Sequence, residues 1–173
     1  VTDSRHFQNE GVTSDTFSVA AELKKLGIDS APIIRKLVQN RSETDLRVLG
    51  LALSTFELLC DGKIARVILR SADMKALGAN YRHAWSSGIF SYLVSLDSAY
   101  VGASFIESEK GKVFCEFRSK QGFDVSEIAA KFGGGGHRGA SGCSQEKPVE
   151  QFVEEVTREL LRLMDQFNPN PQR

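Results

Sequence analysis

The sequence predicts an α/β protein in which helices come first and a small mixed-sheet domain follows. Up to about residue 60 the apolar residues recur at helical spacing, whereas beyond Asp61-Gly62 they form short runs or alternate, as strands do. This change of period indicates a boundary near Asp61. We therefore expect a helical part over residues 1–60 and a small α/β domain over residues 61–173.

Capping residues predict three helices in the first part. Thr13 can cap the first helix, and Ser30 can cap a short second one that carries Ile33, Ile34, Leu37 and Val38. Ser42, followed three residues later by Asp45, forms a capping box for a longer helix, which we expect to continue to Leu59.

The second part alternates strands with helices. The apolar pattern predicts a buried strand over residues 64–69, a helix over residues 88–96, and a hairpin with strands over residues 100–106 and 112–117. Asp124 can cap a helix that leads into a glycine run, and Pro148 opens a last, amphipathic helix.

The composition restricts the class of ligand and the compartment. Lys+Arg (22) balances Asp+Glu (22), so the chain has no basic excess for a long nucleic acid, whereas a short anion held at one local site remains compatible. The three cysteines are odd in number and lack C-x-x-C spacing, which argues against a disulfide framework or a structural zinc. With no signal peptide or membrane span visible, we expect a cytoplasmic protein.

The run of four glycines before His137 and Arg138 is the most unusual segment of the chain. Such a run is retained where φ must be positive, or where a partner approaches the main chain more closely than a Cβ would allow. The two residues that follow favour the second reason. The amides of Gly134, Gly135 and Gly136 would then bind an anion, with His137 and Arg138 at the rim. A flexible linker or a tight turn is the alternative.

The same glycines also match the spacing of a second motif. Gly134, Gly136 and Gly139 fit the spacing G-x-G-x-x-G, the dinucleotide-binding fingerprint. That fingerprint follows a strand and opens a helix, whereas here a predicted helix precedes the glycines, so we interpret the match as accidental. A Walker A loop is excluded because no Gly-Lys-Ser/Thr follows.

Two further residues are candidate ligands. Arg118 ends a predicted strand, a position from which a guanidinium can bind phosphate across a glycine loop; a solvated surface arginine is the alternative. Asp3 lies just past a strand-like start, where a carboxylate can bind a hard metal ion, although one carboxylate alone specifies nothing.

Taken together, three segments resemble the DHHA1 domain of DHH-family phosphoesterases. They are Phe-Arg-Ser-Lys at residues 117–120, the helix start at 124–129, and the run Phe-Gly-Gly-Gly-Gly-His-Arg-Gly-Ala-Ser-Gly at 132–142. Residues 1–7 and the helix after Thr13 look like the fourth motif of the family's DHH lobe. The resemblance covers nearly the whole chain up to about Gly142. It assigns residues 1–60 to the end of the DHH domain and residues 61–173 to the DHHA1 domain.

The resemblance implies a two-lobed phosphodiesterase or phosphatase. Its substrates would be short oligonucleotides, nucleotide phosphates or polyphosphate. The DHH lobe would bind two divalent ions, usually Mn²⁺, with Asp3 as one ligand. The DHHA1 lobe would bind the substrate's phosphate through Arg118, His137, Arg138 and the amides of residues 134–136. Members of the family often form dimers, so a homodimer is compatible with the resemblance.

The departures from the family pattern predict a fragment. The DHH motif and the earlier aspartate motifs are absent, Ser4-Arg5 replaces Thr-Gly, Ser141 replaces an alanine, and the chain does not begin with Met. We therefore expect a C-terminal portion that lacks the DHH lobe, contains no complete catalytic site and is inactive alone. The alternative is a non-catalytic module that binds nucleic acid or a nucleotide. The metal-site-like Thr2-Asp3-Ser4 favours the first hypothesis.

Overall fold

The computed structural model describes residues 7, 11–36, 40–120 and 122–167. The contacts divide the chain into two compact units, residues 1–41 and residues 42–173. The domain boundary that the sequence predicts lies later, near Asp61, and stays a prediction.

The described residues of the first unit contain two helices, α1 (Ser14–Lys25) and α2 (Ser30–Ile34). Thr13 caps α1 as predicted. The cap of α2 is Asp29 rather than Ser30, because the Asp29 carboxylate accepts the amide N–H of Ala31 at 3.1 Å. Leu37 and Val38, which were expected to continue α2, lie outside the described residues.

In the described part of the second unit, six strands form one mixed sheet between two layers of helices. The strands are β1 (Glu57–Leu59), β2 (Ile64–Leu69), β3 (Val101–Glu107), β4 (Lys112–Ser119), β5 (Gly135–His137) and β6 (Ala140–Glu146). Their order is β1-β2-β3-β4-β6-β5; β2 and β3 run parallel, and the other neighbouring pairs are antiparallel. This architecture confirms the predicted α/β class and the hairpin of β3 and β4.

Helices cover both faces of this sheet. They are α3 (Glu43–Ser54), α4 (Ser71–Ala76), α5 (Tyr81–Ser87), α6 (Ile89–Leu93), α7 (Ser126–Lys131) and α8 (Val149–Gln166). One apolar cluster joins α7 and α8 to buried residues of β4, including Val113, Cys115 and Phe117. A second cluster lies on the opposite face and joins the four helices α3, α4, α5 and α6 to β2. In the described part of the chain, no helix combines the length and apolar character that a bilayer crossing needs.

The third helix begins as predicted but ends earlier. Asp45 accepts the Ser42 amide N–H at 2.9 Å, and the Asp45 amide donates to the Ser42 hydroxyl at 3.1 Å, which completes the capping box. The expected continuation to Leu59 is wrong, because Leu59 belongs to β1. Positive φ values at Asp61 (52°) and Gly62 (82°) reverse the chain there, and β1 pairs with β2.

The helix expected over residues 88–96 is shorter and follows another helix. Gly88, at φ 77°, separates α5 from α6, which ends at Leu93. Gly102 of β3 lets α6 pack closely on the sheet, since a Cβ on Gly102 would lie 2.5 Å from the Leu93 Cβ. This contact brings the ring of Phe90 next to β4.

Helices α7 and α8 are joined by a cluster of charged side chains around Glu159. This α8 carboxylate accepts hydrogen bonds from Arg162 of the same helix, at 3.0 Å for the Nε donor, and from Lys131 at the end of α7. Hydrogen bonds from Arg162 and then from Lys131 lower the pKa of Glu159 from 4.5 to about 2.

We predict that Glu159→Gln lowers the free energy of unfolding by about 1 kcal/mol near neutral pH, a modest loss because both cations are half-exposed and screened by solvent. A carboxyl whose pKa is lower in the folded state stabilises fully above its unfolded pKa, and this contribution disappears as the pH falls through the folded value. The difference between the unmodified chain and the variant should therefore shrink between pH 4.5 and about pH 2. Urea unfolding across this range measures it.

Glu154→Gln is the matched control, because Glu154 is an exposed α8 carboxylate paired with Arg158 outside this cluster. A Glu159→Gln difference that stays constant down to pH 2 would contradict the assignment.

Candidate ligand-binding groove

A groove of about 470 Å³ lies over β4, β6 and the glycine segment. The residues of β4 that line it alternate with those that α7 and α8 bury, so the groove opens on the other face of the sheet. Its lining consists of Phe114, Glu116 and Arg118 of β4, residues 133–136, and residues 140–144 of β6.

Arg118 carries the positive charge among the lining residues, and its side chain is held from several sides. One Nη donates to the carbonyl of Phe117 at 2.7 Å and lies 3.5 Å from a carboxylate oxygen of Glu116. The guanidinium also lies 5.3 Å from the centre of the Phe90 ring, at cation–π distance. With 24% of its side chain exposed, Arg118 presents an oriented cation to the groove.

The first two glycines end α7. Gly133 has φ 74° and donates its N–H to the Ala130 carbonyl at 3.0 Å, while Gly134 donates to the Ala129 carbonyl at 2.8 Å. This pair of bonds is a Schellman motif, which satisfies the last carbonyls of a helix. The amide of Gly134 therefore already has an acceptor. The groove meets the negative end of α7 rather than a positive helix N-terminus.

The next glycines let β5 lie against β6. A Cβ on Gly134 would lie 2.1 Å from the Gly142 carbonyl oxygen, and one on Gly136 would lie 2.6 Å from the Cα of Ser141. Gly136 also has φ 138°, which L side chains rarely adopt. A Cβ on Gly135 would meet nothing within 4 Å. Both reasons given for the glycine run thus apply, and the partner that approaches is β6 of the same chain.

His137 and Arg138 have different positions. In the β5–β6 and β4–β6 pairings, His137 lies opposite Ala140, and Ala140 lies opposite Arg118. His137, Ala140 and Arg118 therefore form one row of cross-strand neighbours, in which His137 lies two strands away from Arg118. The Arg138 side chain instead pairs with Asp124 at 3.2 Å, outside the groove lining. A hydrogen bond from Ser126, and more weakly the Arg138 charge, lower the pKa of Asp124.

The structure thus brings Arg118, Gly134, Gly135 and Gly136 to one groove, with His137 in the row of Arg118. The phosphate-binding roles predicted for these residues and for Arg138 stay predictions. The prediction for Asp3 lies outside the described residues.

Two other β4 side chains that line the groove were not predicted from the sequence. Glu116 lies two residues before Arg118, on the same face of the strand, and Phe114 lies two residues before that. The alternation of the predicted strand was the signal that could have identified both residues.

No metal centre is present in the part of the chain that the structure describes. Among residues 7, 11–36, 40–120 and 122–167, no group of three or more His, Cys, Asp or Glu side chains is placed to hold an ion. The described residues therefore do not fit the two divalent ions that the resemblance implies.

The family follows from comparison with known proteins. A family model described as the DHHA1 domain matches residues 65–168. The chain therefore belongs to the DHHA1 domain family.

Its relatives include two proteins named as bifunctional oligoribonuclease and PAP phosphatase NrnA. The Streptococcus mutans protein, whose name is qualified as probable, is 31% identical over 164 residues, which cover 94% of this chain and 50% of that protein. The Thermus thermophilus protein is 29% identical over 167 residues, which cover 94% of this chain and 49% of that protein. The chain spans about half the length of the curated relatives it matches.

Solved structures share the fold. An exopolyphosphatase-related protein from Bacteroides fragilis superposes with a TM-score of 0.81 at 24% identity, covering 95% of this chain and 47% of that one. The pGpG-specific phosphodiesterase PggH from Vibrio cholerae gives a TM-score of 0.50 at 15% identity, covering 92% of this chain and 54% of that one. At these identities the likeness is one of fold.

Alanine substitutions along the glycine run should separate packing from ligand contact. We predict that Gly134→Ala and Gly136→Ala each lower the free energy of unfolding by about 2 kcal/mol or more, because the added methyl would clash with the β6 backbone. Gly135→Ala should change it by less than about 0.5 kcal/mol, because its methyl meets open space. Chemical denaturation measures all three.

Gly135→Ala is the internal control, since it adds the same methyl group at the position between the other two. Equal losses of stability at all three positions would contradict the close approach of β5 to β6.

Proposed function

We propose that this chain is the substrate-binding portion of a metal-dependent phosphodiesterase or phosphatase that acts on short oligonucleotides or nucleotide phosphates. The proposal depends on one observation, the groove in which the oriented guanidinium of Arg118 lies in one row with His137 of β5. Membership of the DHHA1 family supports it, as do the names of the NrnA relatives.

The groove offers two kinds of donor to a phosphate. A guanidinium is planar and can donate two parallel hydrogen bonds to phosphate oxygens. β5 is the last strand of the sheet, and an edge strand directs some of its backbone groups away from its neighbour. All three β5 residues are exposed, and the amides of a strand point alternately towards and away from its neighbour. We therefore propose that the Gly136 amide, which the β5–β6 register directs away from β6, and the ring of His137 complete the phosphate site beside Arg118.

The size and charge of the site favour a short ligand. A volume of about 470 Å³ lies within the range of small-molecule pockets, roughly 300–1,000 Å³. Within the lining, Glu116 offsets the charge of Arg118, and the whole chain has a formal net charge of +0. A long polymer would require a basic surface that this composition does not supply.

Hydrolysis, we propose, belongs to a longer protein. The DHH lobe would supply the divalent ions, Mn²⁺ by the family resemblance, with Asp3 among their ligands, and the intact protein would be cytoplasmic and dimeric. Hydrolysis of 3′-phosphoadenosine 5′-phosphate by the pure chain with added Mn²⁺ would contradict this division of roles.

A non-catalytic nucleotide-binding module is the second candidate. It is favoured by a groove whose lining comes entirely from residues 114–144 of this one chain. The test uses a polypeptide extended to the full length of the NrnA relatives. If it binds ligands in a phosphate-dependent way but does not hydrolyse them, the protein is a non-catalytic binding module.

We predict that Arg118→Gln weakens the binding of 5′-phosphorylated ApA about tenfold, because a hydrogen-bonded charge on the phosphate is lost. The affinity for ApA without the 5′-phosphate should change less, because only its internucleotide phosphodiester remains. Isothermal titration calorimetry with both dinucleotides measures the effect.

Arg47→Gln is the matched control, since Arg47 is an exposed arginine of α3 paired with Glu43 and absent from the groove lining. The proposal fails if the unmodified chain binds both dinucleotides equally, or if Arg118→Gln weakens both to the same extent.

A further inference from the structure

One face of β4 presents three different chemical groups to the groove in a fixed order. Phe114, Glu116 and Arg118 follow one another at two-residue steps, and all three line the groove. Such steps place neighbouring side chains roughly 7 Å apart along a strand. We call these three residues the β4 stripe; it consists of an aromatic ring, a carboxylate and a guanidinium.

Glu116 lies beside two positions that carry no side chain. It is opposite Gly142 of β6, and Gly142 is opposite Gly135 of β5. A Cβ on Gly142 would lie 2.9 Å from a Glu116 carboxylate oxygen, so any larger residue there would displace the carboxylate. A Cβ on Gly135 would meet nothing within 4 Å. The Glu116 carboxylate therefore lies over Gly142, and the same row of the sheet is open beyond it, at Gly135.

A carboxylate beside a phosphate-binding arginine has a chemical cost. It repels the phosphate, and it can only accept hydrogen bonds. A ligand overcomes this repulsion if it brings hydrogen-bond donors to the carboxylate while its phosphate binds Arg118. In a ribonucleotide, the hydroxyl groups of the ribose next to the phosphate are such donors, and hydrogen bonds from them to a carboxylate are charge-assisted.

Phe114 supplies the third group of a nucleotide site. Its ring lies 5.5 Å from the Tyr81 ring at an interplanar angle of 10°, and 5.2 Å from the Trp85 ring at 80°. These contacts with α5 hold Phe114 in place as an aromatic group at the end of the stripe, and the Lys112 Nζ lies 5.4 Å from the centre of its ring. Bases stack on aromatic rings largely independently of sequence.

We propose that Glu116 selects ribose over deoxyribose in this groove, with the ligand's phosphate at Arg118, its ribose at Glu116 and its base towards Phe114. The order of the stripe matches the order in which a nucleotide carries phosphate, sugar and base. The inference rests on the proposed function, because it requires the groove to bind a nucleotide phosphate.

The test compares 5′-phosphorylated ApA with its all-deoxy counterpart by isothermal titration calorimetry. The unmodified chain should bind the ribo form about tenfold more tightly, as expected for one charge-assisted hydrogen bond. Glu116→Ala should bind both forms with equal affinity, because the acceptor has been removed. The deoxy form should bind the variant at least as tightly as it binds the unmodified chain, since the carboxylate no longer repels the phosphate.

Two further variants keep the result interpretable. Glu109→Ala removes an exposed carboxylate from the turn between β3 and β4 and should leave the ribose preference intact. Glu116→Gln retains one acceptor oxygen without the charge, so it should keep a reduced preference for the ribo form even if Glu116→Ala folds poorly.

The outcomes separate this inference from the proposed function. If phosphorylated and unphosphorylated ApA bind the unmodified chain equally, the proposed function has failed. If binding depends on the phosphate and Glu116→Ala still prefers the ribo form, this inference alone is overturned. A variant that changes both affinities by the same factor also overturns it, because Glu116 would then act only by orienting Arg118.

Discussion

The close approach of β5 to β6 is the constraint on which the groove depends. At Gly134 and Gly136 the two strands leave no room for a Cβ, and Gly136 adopts a backbone conformation that suits glycine. This approach attaches the end of α7 to the sheet and creates the exposed strand that borders the groove. The glycine run is therefore first a packing requirement. Its exposed backbone is the consequence that a ligand can use.

The electrostatics of the groove differ from those of a phosphate site at a helix N-terminus. Here the adjacent helix ends at the groove, and its last carbonyls accept the amides of Gly133 and Gly134. The positive charge that attracts an anion then comes from a side chain, that of Arg118, which is held in place by Phe90, Glu116 and the Phe117 carbonyl. Pre-positioning of this kind reduces the entropy lost when a ligand binds. The carboxylate beside it limits which anions are bound, and so favours specificity over affinity.

Much of the fold could be predicted from local signals. The capping box at Ser42 predicted the start of α3, and the apolar pattern predicted the hairpin of β3 and β4. β1 was missed because a three-residue strand has no period of its own and is defined by pairing with β2. β5 was missed because glycines carry no apolar pattern, although the same glycines indicated that a close backbone contact was needed.

The site was predicted in part for the same reason. Arg118 and the glycines are unusual as single residues, so they could be singled out from the sequence. Glu116 is an ordinary residue whose interest arises from its row in the sheet, between Arg118 and two glycine positions. Arg138 looked equivalent to His137 in sequence, but the turn between β5 and β6 directs it towards Asp124.

The phosphate site in this groove is tested most directly by an NMR titration of the isotopically labelled chain with 5′-phosphorylated ApA. We expect saturable shifts of the Gly135, Gly136 and His137 amides together with the Arg118 side-chain Nε–H. The Gly133 and Gly134 amides, which donate to α7, should shift less. If the largest shifts fall outside the groove, or if no resonance moves at millimolar ligand, the groove over β4 and β6 is not the phosphate site.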